Sequence, residues 1–485
     1  MSILDDLVAS GRNRLLIGGE WRDASDGAEI TVLDPATAEP IASVPSGSVA
    51  DGLAAVDAAS AVAASWAATP PRDRAEILRR AFEALTDRAD AFAELIVREM
   101  GKAFREARAE VLYAAEFFRW FSGEAVRNLG SISTAPGGDK RIISVHQPVG
   151  ISLLVTPWNF PAAMATRKIG PAIAAGCTMI LKPASDTPLT ALAIGALLEE
   201  VGVPPGVVNV VPSARSGEVV GAMLDDPRVR KLSFTGSTEV GKVLLERAAR
   251  HVVNCSMELG GNAPFLVFSD ADIDAAVEGA MVAKMRNGGQ SCIAANRIYV
   301  HAAVAAEFAE RFSAAMASTR VGPGMDPSTE LGPLINRQAA DDIAGLVEAT
   351  ASHGARVTVG GGRPDRPGFF FEPTVLTDVA PDDPILATEI FGPVAPIVTF
   401  ETEEEAVALA NDTLWGLAAY VYTGDLARGL RVAEAIEAGM VGINRGLISD
   451  PAAPFGGVKE SGLGREGAHE GLMEFLETKY IAATW

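Results

Sequence analysis

Beyond residue 150 the chain alternates between short runs of consecutive apolar residues and longer stretches of helical spacing. Residues 151–156 form an apolar run stopped by Pro157, Pro161 is placed to start a helix, and 178–181 is a second run that ends at Pro183. A helix is predicted over 187–201, ended by Gly202, with further strands over 207–211 and 229–235. Strands that are apolar throughout need cover on both faces, so this alternation predicts a parallel, doubly wound sheet that binds ligands at its strands' carboxyl ends. Thr156 and Lys182 fall at two such ends.

Other parts of the chain follow other patterns. Residues 71–121 carry helical spacing, with Ile77, Leu78, Ala81, Phe82 and Leu85 set among Arg and Glu, and predict a helical hairpin. Residues 131–149 alternate around Gly137 and Gly138, which predicts two strands joined by a turn. A second α/β portion starts near Glu258, with strands over 264–268 and 297–301, a helix over 272–285 between them, and a sheet that continues past the 360–368 loop. The predicted class is therefore α/β: a doubly wound parallel-sheet domain, a second α/β domain and a small β arm.

A length of 485 residues fits two or three domains with real cores. The net charge of −21 argues against nucleic acid or an anionic membrane surface as a partner, although a few local Arg residues can still dominate a pocket. No stretch approaches the roughly 18 apolar residues of a membrane span, and Asp5 and Asp6 stand where a secretory leader would be basic, so a cytoplasmic location is expected. The three cysteines, Cys177, Cys255 and Cys292, are too few and scattered for a disulfide framework or a metal site, and no metal is predicted.

The candidate chemistry gathers on Cys292, Glu258 and Asn159. Cys292 follows Gly288-Gly289-Gln290-Ser291, a polar, flexible approach unlike the aliphatic setting of a packed core cysteine. A thiolate can add to a carbonyl, a carboxylate such as Glu258 can activate water, and the Asn159 amide can hydrogen-bond the oxyanion formed in between. That set suits covalent oxidation of an aldehyde. A Cys-His protease is the competing reading, but the five His residues sit in no protease-like motif. Two glycine motifs mislead. Gly462 to Gly467 spells GxGxxG with too little chain after it for a βαβ unit, and Gly236 to Lys242 spells GxxxxGK but is followed by Val243, which cannot hold Mg²⁺.

Several segments resemble the aldehyde dehydrogenase superfamily, in the expected order and over essentially the whole chain. They are residues 156–161, 182–185, 234–237, 258–261, 289–292, 389–393, and 454–457 with Lys459. The resemblance implies a dinucleotide-binding domain over 1–125 and 147–257, a catalytic domain over 258–465, and an oligomerisation arm over 126–146 and 466–485 that pairs subunits as a homodimer or homotetramer. It implies NADP or NAD held by Thr156, Pro157, Trp158, Lys182, Ala184, Ser185, Gly236, Ser237, Gly241, Leu259, Glu389 and Phe391. Lys182 would bond the adenosine ribose, Glu389 the nicotinamide ribose, and Phe391 would pack near the nicotinamide. Cys292 would attack the aldehyde, Asn159 would hold the oxyanion and Glu258 would activate water for thioester hydrolysis.

Finer matches point within the family. Residues 166–168, Arg286 and 446–449 resemble the succinate semialdehyde dehydrogenase subgroup, in which two Arg and a Ser bind the far carboxylate; here these are Arg167, Arg286 and Ser449, with Asp450-Pro451 departing from the usual loop. Surface ion pairing is the plainer use for the two Arg. Ser185 stands where many NAD-preferring relatives have Glu, so NADP should be accepted. Ala294 occupies the position of a second Cys found in redox-switched relatives, so no reversible loop disulfide is expected. The alternatives are a dehydrogenase for another aliphatic or aromatic aldehyde, a CoA-acylating relative and a catalytically silent binding protein.

Overall fold

The apolar run 151–155 lies at the centre of an eight-stranded sheet, buried at every position. A computed structural model of the chain describes residues 2–485. The sheet's parallel core runs Val208–Val210, Met179–Lys182, Ile151–Val155, Val229–Thr235 and Asn254–Glu258 in spatial order. After Ile151–Val155 the chain builds outward on one side and then returns to the other. The topology therefore reverses beside that strand, where an open α/β sheet leaves a crevice for ligand.

A second sheet of seven strands has the order Arg356–Val359, Thr374–Thr377, Val394–Phe400, Ala295–His301, Ala263–Val267, Ala418–Tyr422, Met440–Ile443. All but its first strand pair in parallel. A third, three-stranded antiparallel sheet joins Ser131–Thr134 and Arg141–Pro148 to the C-terminal strand Leu476–Ala483. The α/β class is as the sequence predicts.

The helices start and stop where local chemistry directs. Pro161 and Pro188 occupy first-turn positions, where their missing N–H costs nothing, and Gly176 ends the helix Pro161–Ala175 at φ +90°. Every residue of Pro161–Ala175 is buried, including Arg167 and Lys168. The predicted hairpin over 71–121 needs correction: it is three helices, Pro71–Asp87, Ala89–Met100 and Phe104–Glu124. The apolar spacing persists across the breaks, but Gly101 at φ +94° turns the chain, and a side chain there would meet Pro333 at 2.7 Å.

Two short features were not predicted. An antiparallel hairpin, Leu15–Ile17 with Glu20–Arg22, adds to the edge of the first sheet, and a separate hairpin joins Glu29–Asp34 to Glu39–Pro45. Gly462–Leu463 forms a strand antiparallel to Asn254–Glu258, so the GxGxxG sequence lies outside any βαβ unit.

Lys284 is fully buried on the helix Ile273–Met285 and donates to Asn296 Oδ1 at 3.0 Å, with no ion-pair partner among the described residues. Burial pushes its pKa from the usual 10.5 down to about 7. Between those values the folded chain holds fewer protons than the unfolded chain, so this lysine makes stability rise with pH. The Tm of Lys284→Met minus that of wild type is accordingly expected to fall steadily from pH 7 toward pH 10.5. A difference independent of pH in thermal melts would contradict this.

Candidate active site

Four strand ends of the first sheet present the predicted cofactor segments along one edge. Thr156 to Trp158 follow Ile151–Val155, Lys182 to Ser185 end Met179–Lys182, Gly236 and Ser237 follow Val229–Thr235, and Glu258 and Leu259 close Asn254–Glu258. Ser237 caps the helix Thr238–Ala248 by accepting from Val240 N–H, so the first turn of that helix opens onto the crevice. Gly241 and Leu259 pack together: a Cβ at Gly241 would meet Leu259 at 2.4 Å.

Two groups at this edge, one buried and one half-buried, lack partners that would satisfy them among the described residues. Lys182 is 4% exposed, its ammonium forms no hydrogen bond or ion pair among the described residues, and burial pushes its pKa down to about 8. Glu389 accepts from Gly261 N–H through one oxygen at 2.9 Å, and burial pushes its carboxyl up to about 7. Phe391 packs edge-on against Trp158, with ring centroids 5.4 Å apart. An unpaired ammonium and an under-satisfied carboxylate facing a helix N-terminus suit a polyanionic nucleotide with free ribose hydroxyls.

The cysteine loop is held by backbone geometry that few residues adopt. Asn287, Gly288 and Gly289 have φ of 55°, 63° and 75°, and a side chain on Gly289 would strike the Gly392 carbonyl at 2.1 Å. The Glu106 carboxylate accepts from the Asn287 N–H at 2.8 Å. Asn287 in turn donates to the carbonyls of Asn159 and Gln290, at 2.9 and 3.0 Å. Tyr420 fixes the far side of the loop by donating to the Ile293 carbonyl at 2.8 Å. One N–H of the Asn159 amide is spent on the Gln290 carbonyl at 3.1 Å, leaving the other, and the Cys292 N–H has no acceptor among the described residues. Those two donors are what an oxyanion beside Cys292 would need.

The groups beneath Asn159 were missed in the sequence. Lys102 and Glu110 form a fully buried ion pair at 2.5 Å, with Lys102 also donating to the Asn159 carbonyl at 2.8 Å and Glu110 accepting from Ala162 N–H at 2.9 Å. They clamp the turn that carries Asn159 to the start of the helix Pro161–Ala175. Read along the sequence, both look like ordinary charges on a helical surface; only their burial gives them away.

Electrostatics set the acid-base character. Burial, with the carboxylates of Glu389 and Glu258, pushes the Cys292 thiol up to about 12, against the pull of Arg167 and Arg286. Burial and the nearby Glu466 carboxylate raise Glu258 well above the usual carboxylate range, and neither Glu258 oxygen has a hydrogen-bond partner among the described residues. Burial disfavours ionised Glu466 too, but Lys168 and Arg167 outweigh it and hold Glu466 low. Glu258 is thus a stronger base than an ordinary carboxylate, free to bond a thiol or a water.

Cys292 shares a narrow cavity with Arg167, Arg286 and Ser449, the residues matched to carboxylate binding. A second, outer cavity of about 660 Å³ has Arg286 and Ser449 in its lining as well. Arg167 is neither on the surface nor wholly free: its Nε lies 3.1 Å from Glu466, Nη2 donates to the Tyr113 hydroxyl at 3.3 Å, and Nη1 meets only the Met164 sulfur at 3.7 Å. The Arg286 guanidinium stands over the Phe160 ring at 4.8 Å without an ion-pair partner among the described residues. The three cysteines are all free.

With this geometry in place, known proteins can be compared. Residues 21–481 match the model of the aldehyde dehydrogenase family, and the chain belongs to that family. It is similar to a succinate-semialdehyde dehydrogenase of Paenarthrobacter nicotinovorans, 58% identical with 88% of this chain and 94% of that one covered. It is also 48% identical to an NADP(+) succinate-semialdehyde dehydrogenase of Escherichia coli strain K12, with 97% of each chain covered. Among solved structures, succinate-semialdehyde dehydrogenase from Burkholderia pseudomallei superposes with a TM-score of 0.96 at 47% identity, covering 97% of this chain and 98% of that one. The protein is an NAD(P)-dependent aldehyde dehydrogenase.

Both proton-bearing groups at Cys292 and Glu258 are held above their ordinary pKa values, so each loses its proton only as pH rises. The kcat/KM for aldehyde is expected to climb continuously with pH from the acid side through neutrality. A profile already flat in the range where a normal carboxylate has ionised would contradict this.

Proposed function

We propose that the chain oxidises succinate semialdehyde to succinate. The observation carrying this reading is the single cavity in which the Cys292 thiol, the Arg167 and Arg286 guanidinium groups and Ser449 meet. An aldehyde bonded to Cys292 at one end would place a carboxylate at its other end against two forks of N–H donors, a charge-assisted contact stronger than a neutral hydrogen bond.

In this reading the Cys292 sulfur bonds to the aldehyde carbon as Glu258 takes the thiol proton. The carbonyl oxygen becomes an oxyanion held by the Asn159 amide and the Cys292 N–H. Bound NADP or NAD supplies the acceptor for the hydride that leaves this carbon, and Lys182, Glu389 and the Gly236–Gly241 turn would hold it. Loss of the hydride leaves a thioester on Cys292. Glu258, after passing its first proton to solvent, takes another from water. The resulting hydroxide adds to the thioester, the carbon–sulfur bond breaks, the thiolate regains a proton and the acid departs.

The outer cavity leaves room for a longer chain, which supports a second substrate, the one-carbon-longer glutarate semialdehyde. A glutarate-semialdehyde dehydrogenase of Pseudomonas putida is 49% identical to this chain. The CoA-acylating route has less support, because Glu258 offers a base for water. A catalytically silent relative would have no use for the unpaired Glu258 and the free oxyanion donors.

The small antiparallel sheet supports a homo-oligomer, dimer or tetramer, in which this arm pairs subunits in the cytoplasm. Every residue of Ser131–Thr134 is exposed, and Ile132, Tyr480 and Trp485 lie 69%, 54% and 76% open to solvent on that arm. No helix among the described residues is long and apolar enough to cross a membrane.

Arg286→Leu is expected to lower the ratio of kcat/KM for succinate semialdehyde to that for propanal by about 100-fold, as for loss of a charge-assisted bond. Equal losses on both aldehydes would refute the substrate assignment. Ser185, three residues after Lys182, is half-buried, and its short side chain in place of Glu would leave room for a ribose 2′-phosphate, so NADP⁺ should be used at least as well as NAD⁺. Steady-state kinetics should show Ser185→Glu shifting preference toward NAD⁺; strict NAD⁺ use without such a shift would overturn the reading.

A further inference from the structure

Tyr113 stands between the two arginines of the substrate cavity, and no motif in the sequence marks it. It lines both the inner cavity with Cys292 and the outer cavity. Its ring packs edge-on against Phe117, with centroids 5.0 Å apart, and the Arg286 guanidinium lies 5.8 Å from its centroid. Its hydroxyl accepts from Arg167 Nη2 at 3.3 Å and donates to no group among the described residues. A phenol has one proton to give, and accepting a bond from a cation polarises the O–H and strengthens it as a donor. A donor O–H on the wall of a cavity that already holds Arg286 and Ser449 has one natural acceptor, an anionic oxygen of the substrate.

We infer that the Tyr113 hydroxyl is a further ligand for the far carboxylate of the substrate, donating to one oxygen while it holds Arg167 in place. This rests on the carboxylated-aldehyde reading above. The arrangement gives the carboxylate a neutral donor wedged between two cations. Arg167 Nη2 donates to Tyr113, and Nε is drawn to within 3.1 Å of the Glu466 carboxylate without bonding it, so Tyr113 carries toward the substrate part of what Arg167 cannot reach with that edge.

The test is Tyr113→Phe, which keeps the ring and its packing and removes only the hydroxyl. The ratio of kcat/KM for succinate semialdehyde to that for butanal is expected to fall about tenfold or more, with the loss in KM, and succinate is expected to bind more weakly by calorimetry. An unchanged ratio would overturn the inference. A hydroxyl that only held Arg167 would cost nothing once Arg167 is gone, so the same change is made in an Arg167→Met background. A further severalfold loss there supports direct contact, and no further loss refutes it. Wild-type enzyme with no preference for succinate semialdehyde over butanal would instead refute the substrate reading on which the inference stands.

Discussion

Much of the site depends on the Glu466 carboxylate, buried between two cations. Lys168 binds it at 2.5 Å and also donates to Ser233 at 3.0 Å, tying the helix Pro161–Ala175 to the strand Val229–Thr235. Arg167, one residue earlier, brings its Nε to 3.1 Å from the other oxygen and lines the cavity that holds Cys292. Glu466 comes from the far end of the chain, so the pair of bridges fastens the C-terminal segment against the first sheet. Its charge also helps to raise Glu258. A buried ion pair of this kind contributes little net stability, because desolvation offsets most of the attraction, but leaving one partner alone in the interior costs several kcal/mol, about 3–5 in typical cases. Its value here is positional: it fixes a base, a guanidinium and a helix relative to one another.

A similar logic operates on the other side of the site. Lys102 and Glu110 hold the Asn159 turn from below, Glu106 holds Asn287, and the glycine loop sets the Cys292 backbone N–H. Gly261 completes the fit, since a Cβ there would lie 2.0 Å from the Cys292 carbonyl. The two donors that would face an oxyanion on Cys292 are therefore oriented in the free protein, which is how a hydrogen-bonding site stabilises charge that develops only during reaction. The charged residues beneath Asn159 and the Cys292 loop act through position.

The parts of this arrangement that are local in sequence were legible there. Cys292 behind two glycines, Glu258 before two more and Asn159 at a strand end each announce themselves, because a close backbone approach or a strand-end turn demands particular neighbours. The apolar runs of the first sheet were equally clear, since a strand covered on both faces shows no polar alternation. Lys102, Glu110, Tyr113 and Glu466 were not visible. Each sits in or beside a polar, helical stretch where a charge or a tyrosine usually faces water, and only the packing of distant segments puts them inside. The three-helix break in 71–121 was obscured because the apolar spacing runs on through it, although Gly101 was the available signal. The strands Leu15–Ile17 and Glu20–Arg22 are three residues each, too short for a period to show.

In the proposed reaction Cys292 carries the substrate as a thioester that Glu258 then opens. The most direct measurement is mass spectrometry of Glu258→Gln quenched after mixing with NADP⁺ and succinate semialdehyde and then digested. A succinyl group on the peptide bearing Cys292, formed more slowly than in wild type because Glu258 no longer takes the thiol proton, in amount equal to the reduced cofactor and slower still to decay, is the predicted result. Reduced cofactor released without any adduct on Cys292, or an adduct on Cys177 or Cys255 instead, would contradict the account.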